Sequence, residues 1–211
     1  MSRVRVKVCG LTRAEDVEAA VALGADALGF VLWPRSPRYV PLPAVSALAD
    51  DLPAFLTRVG VFVDASPDEV ARAVREARLD AVQLHGAESA ADYGRVGARV
   101  IKAVTLDGSD DVERAAGLPA GVTVLVDATA PVERGGTGRR ADWSHAARLA
   151  RRRPIVLAGG LSASNVAAAI REVRPVAVDV SSGVEEAPGR KDHERLRAFF
   201  AAVAAAAGDA P

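Results

Sequence analysis

The chain has 211 residues, half of them apolar and 26% charged, a balance ordinary for a globular protein and a length suited to one good core. Basic and acidic residues cancel at 27 each, and no basic run is paired with aromatics, so nucleic acid and an anionic membrane are poor choices of main partner. The lone cysteine, Cys9, excludes an internal disulfide, and nothing in cysteine usage calls for an oxidising compartment.

No apolar run approaches the ~18 residues of a membrane span. The opening residues alternate polar and apolar like a strand and lack the pattern of a secretory leader. These features predict a cytoplasmic protein.

In chain order, short β-branched runs occupy Val4–Val8, Ala27–Val31, Arg58–Val63, Ala81–Leu84, Val100–Val104, Val122–Val126, Ile155–Ala158 and Ala177–Val180. Alanine-rich periodic stretches lie between and after them, near 13–23, 43–51, 67–77, 88–96, 110–116, 143–152, 164–173 and 191–206. Strand-helix alternation implies parallel pairing, because each crossover returns the chain to the same end of the sheet. Eight such units predict a single (β/α)₈ TIM barrel spanning 1–211, its tail frayed after about 206, in preference to an open doubly wound sheet. Thr12–Glu15 and Ser66–Glu69 both match the capping box, and Pro67 sits at the first helical position.

Alternation within the strands predicts orientation. Val4, Val6 and Val8 alternate with Arg5, Lys7 and Cys9, and Val82 and Leu84 with Gln83 and His85. Similarly, Ile101 alternates with Lys102, the valines 122–126 with Leu125 and Asp127, and the valines 176–180 with Asp179 and Ser181. In a helix-covered barrel the apolar parity faces the helices. Lys7, Cys9, Gln83, His85, Lys102, Asp127 and Asp179 are then expected around the barrel axis. Buried charges need partners, so Lys7, Lys102 and Asp179 read either as a structural ion-pair network or as part of a site. Among the basic residues only Lys7, Lys102 and Lys191 are lysines. Lysine's compact ammonium and arginine's planar fork do different work, which singles out Lys7 and Lys102.

Three late segments carry small residues where a phosphate would need backbone amides: Gly135–Gly138, Ala158–Leu161 and Asp179–Gly183. Glycine lets the chain turn sharply and approach an anion, and a short helix near Ser182 would add its positive end. Such turns after strands six, seven and eight match a recurrent barrel phosphate site. Gly136, Gly138, Gly159, Gly160, Ser181, Ser182 and Gly183 are its candidates.

Lys7-Val-Cys-Gly-Leu-Thr12, Gly29–Tyr39, Gly60-Val-Phe-Val63, Val82-Gln-Leu-His-Gly86, Val100-Ile-Lys-Ala103 and Leu125-Val-Asp127 follow one another, before those glycine turns and Val184-Glu185. Taken in order from about Val4 to His193, this set resembles the phosphoribosylanthranilate isomerases of tryptophan biosynthesis. The resemblance implies a phosphosugar substrate, N-(5-phosphoribosyl)anthranilate, and an Amadori rearrangement needing neither metal nor organic cofactor. It implies Cys9 as general base, Asp127 as general acid, and Arg38 as the contact for the anthranilate carboxylate, with Arg35 its competitor in the same loop.

A base at Cys9 must be a thiolate, although a free thiol titrates near ~8.5. Lys7 and the start of the first helix would favour the anion. An acid at Asp127 must hold its proton near neutrality, through burial or a negative neighbour. His85 is expected to hydrogen-bond near the sugar or within the core. A metal site drawn on His85, Asp64, Asp127 and Asp179 is disfavoured, because zinc-type sites want several imidazoles or thiolates and His145 and His193 fall in helical stretches. The related histidine-pathway isomerases resemble the chain less, since they carry aspartate where this chain has Cys9. The sequence leaves monomer or homodimer open.

Overall fold

A computed structural model describes residues 3–127 and 143–208, with side chains through 206. Its strands are β1 (Arg5–Cys9), β2 (Ala27–Val31), β3 (Thr57–Phe62), β4 (Ala81–Leu84), β5 (Arg99–Val104), β6 (Thr123–Asp127), β7 (Ile155–Ala158) and β8 (Ala177–Val180). They pair in parallel in sequence order, and β8 returns to β1 through Val6↔Val178 and Lys7↔Asp179 to close the barrel. That last ladder separates a barrel from an open sheet. Helices α1 (Ala14–Ala22), α2 (Leu42–Leu48), α3 (Pro67–Glu76), α4 (Ser109–Ala116), α5 (Ser144–Ala150), α6 (Val166–Val173) and α7 (His193–Gly208) alternate with the strands. A short antiparallel hairpin, β9 (Glu185–Ala187) with β10 (Arg190–Lys191), stands between β8 and α7.

The main core lies between strands and helices. Val6, Val8, Leu28, Phe30, Val82, Leu84, Val124, Val126, Leu157, Val178 and Val180 meet Val17, Val70, Leu149, Ile170, Leu196 and Phe199 there. Inside the barrel, Ala103, Leu125, Val156, Ala158 and Ala177 form a separate small cluster with Ile101 against it. Alternation therefore predicts the two faces correctly for strands one, four, six and eight. On β5 the parity is inverted. Lys102 pairs in register with Leu84 and Val124, both on the outer face, and Ile101 faces the interior. Lys102 is thus removed from the set expected around the axis. Its Nζ donates to the Gly86 carbonyl at 2.6 Å and lies 3.4 Å from Glu88 Oε2, under the loop that leaves β4.

Two local expectations also change. The capping box at Ser66 forms, with Glu69 N donating to Ser66 Oγ and Ser66 N to Glu69 Oε2. The one at Thr12 does not: α1 starts after Arg13 without a side-chain cap, and Thr12 Oγ1 donates instead to the Gly189 carbonyl on the hairpin. The stretch 88–96 folds as one 3₁₀ turn, Ala90–Tyr93, rather than a helix. Glu88 is drawn into the loop, accepting from Asp64 N and Gly86 N, and Gly94 follows the turn directly. α7 is described to Gly208, and residues 209–211 lie outside the described part.

Candidate active site

The carboxyl ends of the strands converge on a cavity of about 330 Å³, within the size range of small-molecule sites and at the rim where barrel enzymes place their chemistry. Cys9 closes β1, Asp127 closes β6, His85 follows β4 and Ser181 follows β8, and all four line it. Arg38, Gly159, Gly160, Ser182 and Gly183 line it too, with Trp33, Val31 and Val61 as an apolar wall. Gly135, Gly136, Thr137 and Gly138 lie outside the described residues.

Cys9 is buried at 8% exposure, and Lys7 sits two residues back on the same strand face. Lys7 Nζ donates to Asp179 Oδ1 at 3.0 Å across the β1–β8 ladder, with both side chains nearly inaccessible. Burial alone would pull the Lys7 ammonium down, but Asp179, and then Cys9, hold it above its usual value. Burial pushes the Cys9 thiol up, Lys7 pulls it down, and Asp179 pushes it up again, with a net rise. Lys7 therefore acts on the thiol in the expected direction, yet desolvation outweighs it and favours the protonated form. Asp179 is also raised, by burial, against the pull of Lys7.

Across the cavity, Gln83 Nε2 lies 3.1 Å from His85 Nδ1, and His85 Nε2 lies 3.6 Å from Asp127 Oδ2. With the Gln83 amide so oriented it donates to Nδ1, which places the imidazole proton on Nε2, toward Asp127. Asp127 keeps about a quarter of its side chain exposed. Among the described residues, the His85 imidazole is one neighbour of this carboxylate. Asp64 is used differently, accepting from Ala87 N in the loop beside it. Among the described residues no three histidine, cysteine or carboxylate groups gather as a ligand set.

The two arginines of the second loop separate cleanly. Arg35 is exposed and stacks over the Trp33 ring at 4.9 Å, whereas Arg38 turns into the cavity. Its side chain crosses Gly10, where a Cβ would stand 2.6 Å from Arg38 Cδ and where the backbone has φ +74°, so only glycine leaves the path open. Arg38 is gripped by Glu185, with Nε donating to Oε1 at 2.9 Å and Nη2 to Oε2 at 2.6 Å. Behind Glu185 stands Lys191, whose side chain is wholly inaccessible. Its Nζ donates to Glu185 Oε1 at 2.8 Å and to the Cys9 carbonyl at 2.6 Å, and lies 3.4 Å from the Ser181 carbonyl. Three ammonium hydrogens thus face three acceptors. Burial pulls the Lys191 ammonium down and Glu185 opposes it.

The turns after β7 and β8 interlock. A Cβ on Gly183 would stand 1.9 Å from the Leu161 carbonyl oxygen, so only glycine allows the two loops to close together. Gly159 and Gly160 adopt positive φ, and Ser182–Val184 form a single 3₁₀ turn. The amides that would meet a phosphate are carried on this packed pair of turns.

Sequence reasoning missed Glu185, Lys191 and Glu88 as parts of the rim. Lysine rarity was the available signal. All three lysines meet a buried carboxylate, Lys7 with Asp179, Lys102 with Glu88 and Lys191 with Glu185. Glu88 and Glu185 escaped notice because nothing local marks them as partners, whereas strand alternation placed Asp179 with Lys7 although 172 residues separate the two.

Comparison with known proteins adds to this geometry. The family model described as N-(5'-phosphoribosyl)anthranilate (PRA) isomerase matches residues 6–202. A Chromohalobacter salexigens protein named N-(5'-phosphoribosyl)anthranilate isomerase is 53% identical, covering 96% of this chain and 95% of its own. The crystal structure of phosphoribosyl anthranilate isomerase from Thermotoga maritima is similar with a TM-score of 0.88 at 42% identity, covering 96% of this chain and 99% of that one. A further similar structure, at TM-score 0.85 and 40% identity over 96% and 99% of the two chains, holds reduced 1-(o-carboxyphenylamino)-1-deoxyribulose 5-phosphate.

Proposed function

The chain belongs to the N-(5'-phosphoribosyl)anthranilate isomerase family, and from that premise we propose how its own residues divide the reaction. The enzyme is an isomerase of tryptophan biosynthesis, converting N-(5-phosphoribosyl)anthranilate to 1-(2-carboxyphenylamino)-1-deoxyribulose 5-phosphate by an Amadori rearrangement. The ring oxygen must receive a proton as the aminoaldose opens to a Schiff base, and C2 must then lose one to give an enol-amine, which becomes the amino-ketose as C1 takes up a proton and the 2-hydroxyl gives one up. The two groups must work from different sides of the sugar.

In our reading Asp127 donates the first proton and Cys9, as thiolate, accepts the second. What carries this reading is that both end strands of the barrel and line one cavity, with the interlocked turns at Gly159–Gly160 and Ser181–Gly183 beside them. Those turns take the phosphate, Arg38 takes the aryl carboxylate in a two-point contact, and His85 lies beside Asp127 near the sugar. Lys7 supplies the pull toward thiolate that burial opposes. No metal or organic cofactor has a part in these steps, and turnover should survive chelation.

The test uses purified protein with phosphoribosylanthranilate made in situ, following the loss of anthranilate-type fluorescence. Cys9→Ser and Asp127→Asn should each abolish turnover while the thermal midpoint and the affinity for the reduced product analogue stay near wild type. Full activity in either variant overturns the assignment. Arg38→Ala should chiefly raise KM, and an unchanged KM would move the carboxylate contact elsewhere, Arg35 first. The phosphosugar is the partner on this reading, and the enzyme acts in the cytoplasm as a monomer or homodimer. Among the solved structures similar to it are monomers generated from the dimeric Thermotoga maritima enzyme.

A further inference from the structure

The hairpin β9–β10 contributes two side chains that the reaction scheme leaves unused, Glu185 and Lys191, both buried and both directed at the rim. We propose that Glu185, fixed by Lys191, is the positioning residue that aims Arg38 at the substrate carboxylate. This rests on Arg38 being the carboxylate contact.

The geometry runs in one direction. Glu185 occupies the Nε–Nη2 edge of the guanidinium, through Nε to Oε1 and Nη2 to Oε2. The Nη1–Nη2 edge is then the one a second carboxylate can meet in the same two-point fashion. An arginine on a loop loses rotamer freedom when it binds, and a guanidinium already docked along one edge has little left to lose. Glu185 could not serve alone, because a buried carboxylate facing a substrate anion would repel it. Lys191 balances that charge from behind, at 2.8 Å, where no substrate reaches. The same ammonium donates to the carbonyl of Cys9 and faces that of Ser181. One group therefore ties the strand end carrying the base to the phosphate turn and to the support of the carboxylate clamp. The hairpin is itself pinned from several sides. Lys191 N donates to Asp16 Oδ2, Thr12 Oγ1 to the Gly189 carbonyl, and an Arg195 guanidinium nitrogen to the Glu185 carbonyl.

The experiment is a double-mutant cycle on KM, with wild type, Arg38→Met, Glu185→Gln and the double variant turning over phosphoribosylanthranilate generated in situ. Glu185→Gln should raise KM about tenfold, as expected for a misaimed charged contact, with kcat changed much less. In the Arg38→Met background it should add almost nothing. Glu185→Asp keeps the charge beside Lys191 but withdraws the carboxylate by one methylene, and should raise KM similarly should Glu185→Gln fold poorly. Competitive inhibition by inorganic phosphate reports on the phosphate turns and should change much less than KM in every variant. If Arg38→Met raises KM while both Glu185 variants keep the wild-type value, the proposal is overturned and the Arg38 assignment stands. If the Arg38 and Glu185 effects multiply independently, Glu185 does not act through Arg38 and the proposal is likewise overturned. An unchanged KM in Arg38→Met alone overturns the Arg38 assignment and this inference with it.

Discussion

Gly29→Ala adds one methyl group at the point where Cys9, the proposed base, is held. Gly29 is the register partner of Cys9 on the neighbouring strand, so its Cβ would project to the same face. There it would stand 2.8 Å from Cys9 Sγ, 3.0 Å from Lys7 Nζ and 3.1 Å from Cys9 Cα. Ordinary contacts need ~3.5–4.0 Å, so the thiol must retreat by roughly 0.7–1.2 Å. The Lys7 amine can swing aside, but Cys9 Cα is backbone and cannot. A displacement near 1 Å at a reacting group lowers turnover by about 100-fold, and the crowding should destabilise the fold by about 1–3 kcal/mol. For a chain of this size that is a fall in Tm of roughly 2–12 °C. The control is Gly60→Ala, whose Cβ would stand 2.6 Å from Leu79 Cδ1 and 2.9 Å from Phe62 Cε2, among core residues outside the barrel. It should lower Tm comparably and leave kcat within about threefold, because nothing near it belongs to the site. Steady-state kcat and thermal unfolding of the two variants decide the matter. A Gly29→Ala enzyme with wild-type kcat, or a Gly60→Ala enzyme equally impaired, would refute the claim that the methyl acts by displacing Cys9.

The remaining expectations concern charge. Lys102→Met should destabilise by about 3–5 kcal/mol, since it leaves Glu88 buried without its cation; chemical denaturation checks this, and the double variant with Glu88→Gln should recover most of the loss. Burial holds the Cys9 thiol up, so kcat/KM should climb with pH toward an inflection above the usual thiol range, and Lys7→Met, which removes the opposing pull, should move that inflection higher. Glu185 is raised by burial but lowered further by Arg38 and Lys191, and Asp16 is raised by burial but lowered further by Arg13, the Lys191 amide and His193. A carboxylate lowered on folding stabilises the protein above its ordinary value, near 4.5 for glutamate and 3.8 for aspartate, and that stability drains away as pH falls through the folded value. Thermal midpoints measured from pH 7 downward should therefore drop steeply below about 4.5, and less steeply in Glu185→Gln.

Much of the barrel could be read from the chain because its signals are local and repeated. Strand valines alternate with inward residues at period two, and Ser66–Glu69 supplies both halves of its own cap. β5 defeated the same logic. Parity alone cannot choose between Ile101 and Lys102 as the inward residue, and the choice is made by Glu88 and the Gly86 carbonyl, waiting 14 and 16 residues upstream on the outer face. Thr12 failed as a cap for a related reason: its hydroxyl finds the Gly189 carbonyl, 177 residues away. The family resemblance pointed to Cys9, Asp127 and Arg38 as candidates, but not to Glu185 and Lys191, which meet Arg38 and the Cys9 carbonyl from the hairpin after β8. That hairpin's sequence reads as an ordinary charged turn.

The three lysines show why those supports take the form they do. A guanidinium offers five donors in a wide plane, and a closed space lined by a few carbonyls cannot satisfy them all. An ammonium has three donors around one atom, and at Lys191 it faces the Cys9 carbonyl, the Ser181 carbonyl and Glu185. A chain that otherwise uses arginine for its cations has kept lysine at three places where the cation meets a buried carboxylate. Arg38, proposed to present an open planar edge to the substrate carboxylate, is arginine for the converse reason. Lys191→Arg should therefore fail to replace lysine despite keeping the charge. It would force the larger head group against the Cys9 and Ser181 carbonyls, and both Tm and kcat should fall. A Lys191→Arg enzyme with wild-type Tm and kcat would show that charge alone is what the hairpin supplies.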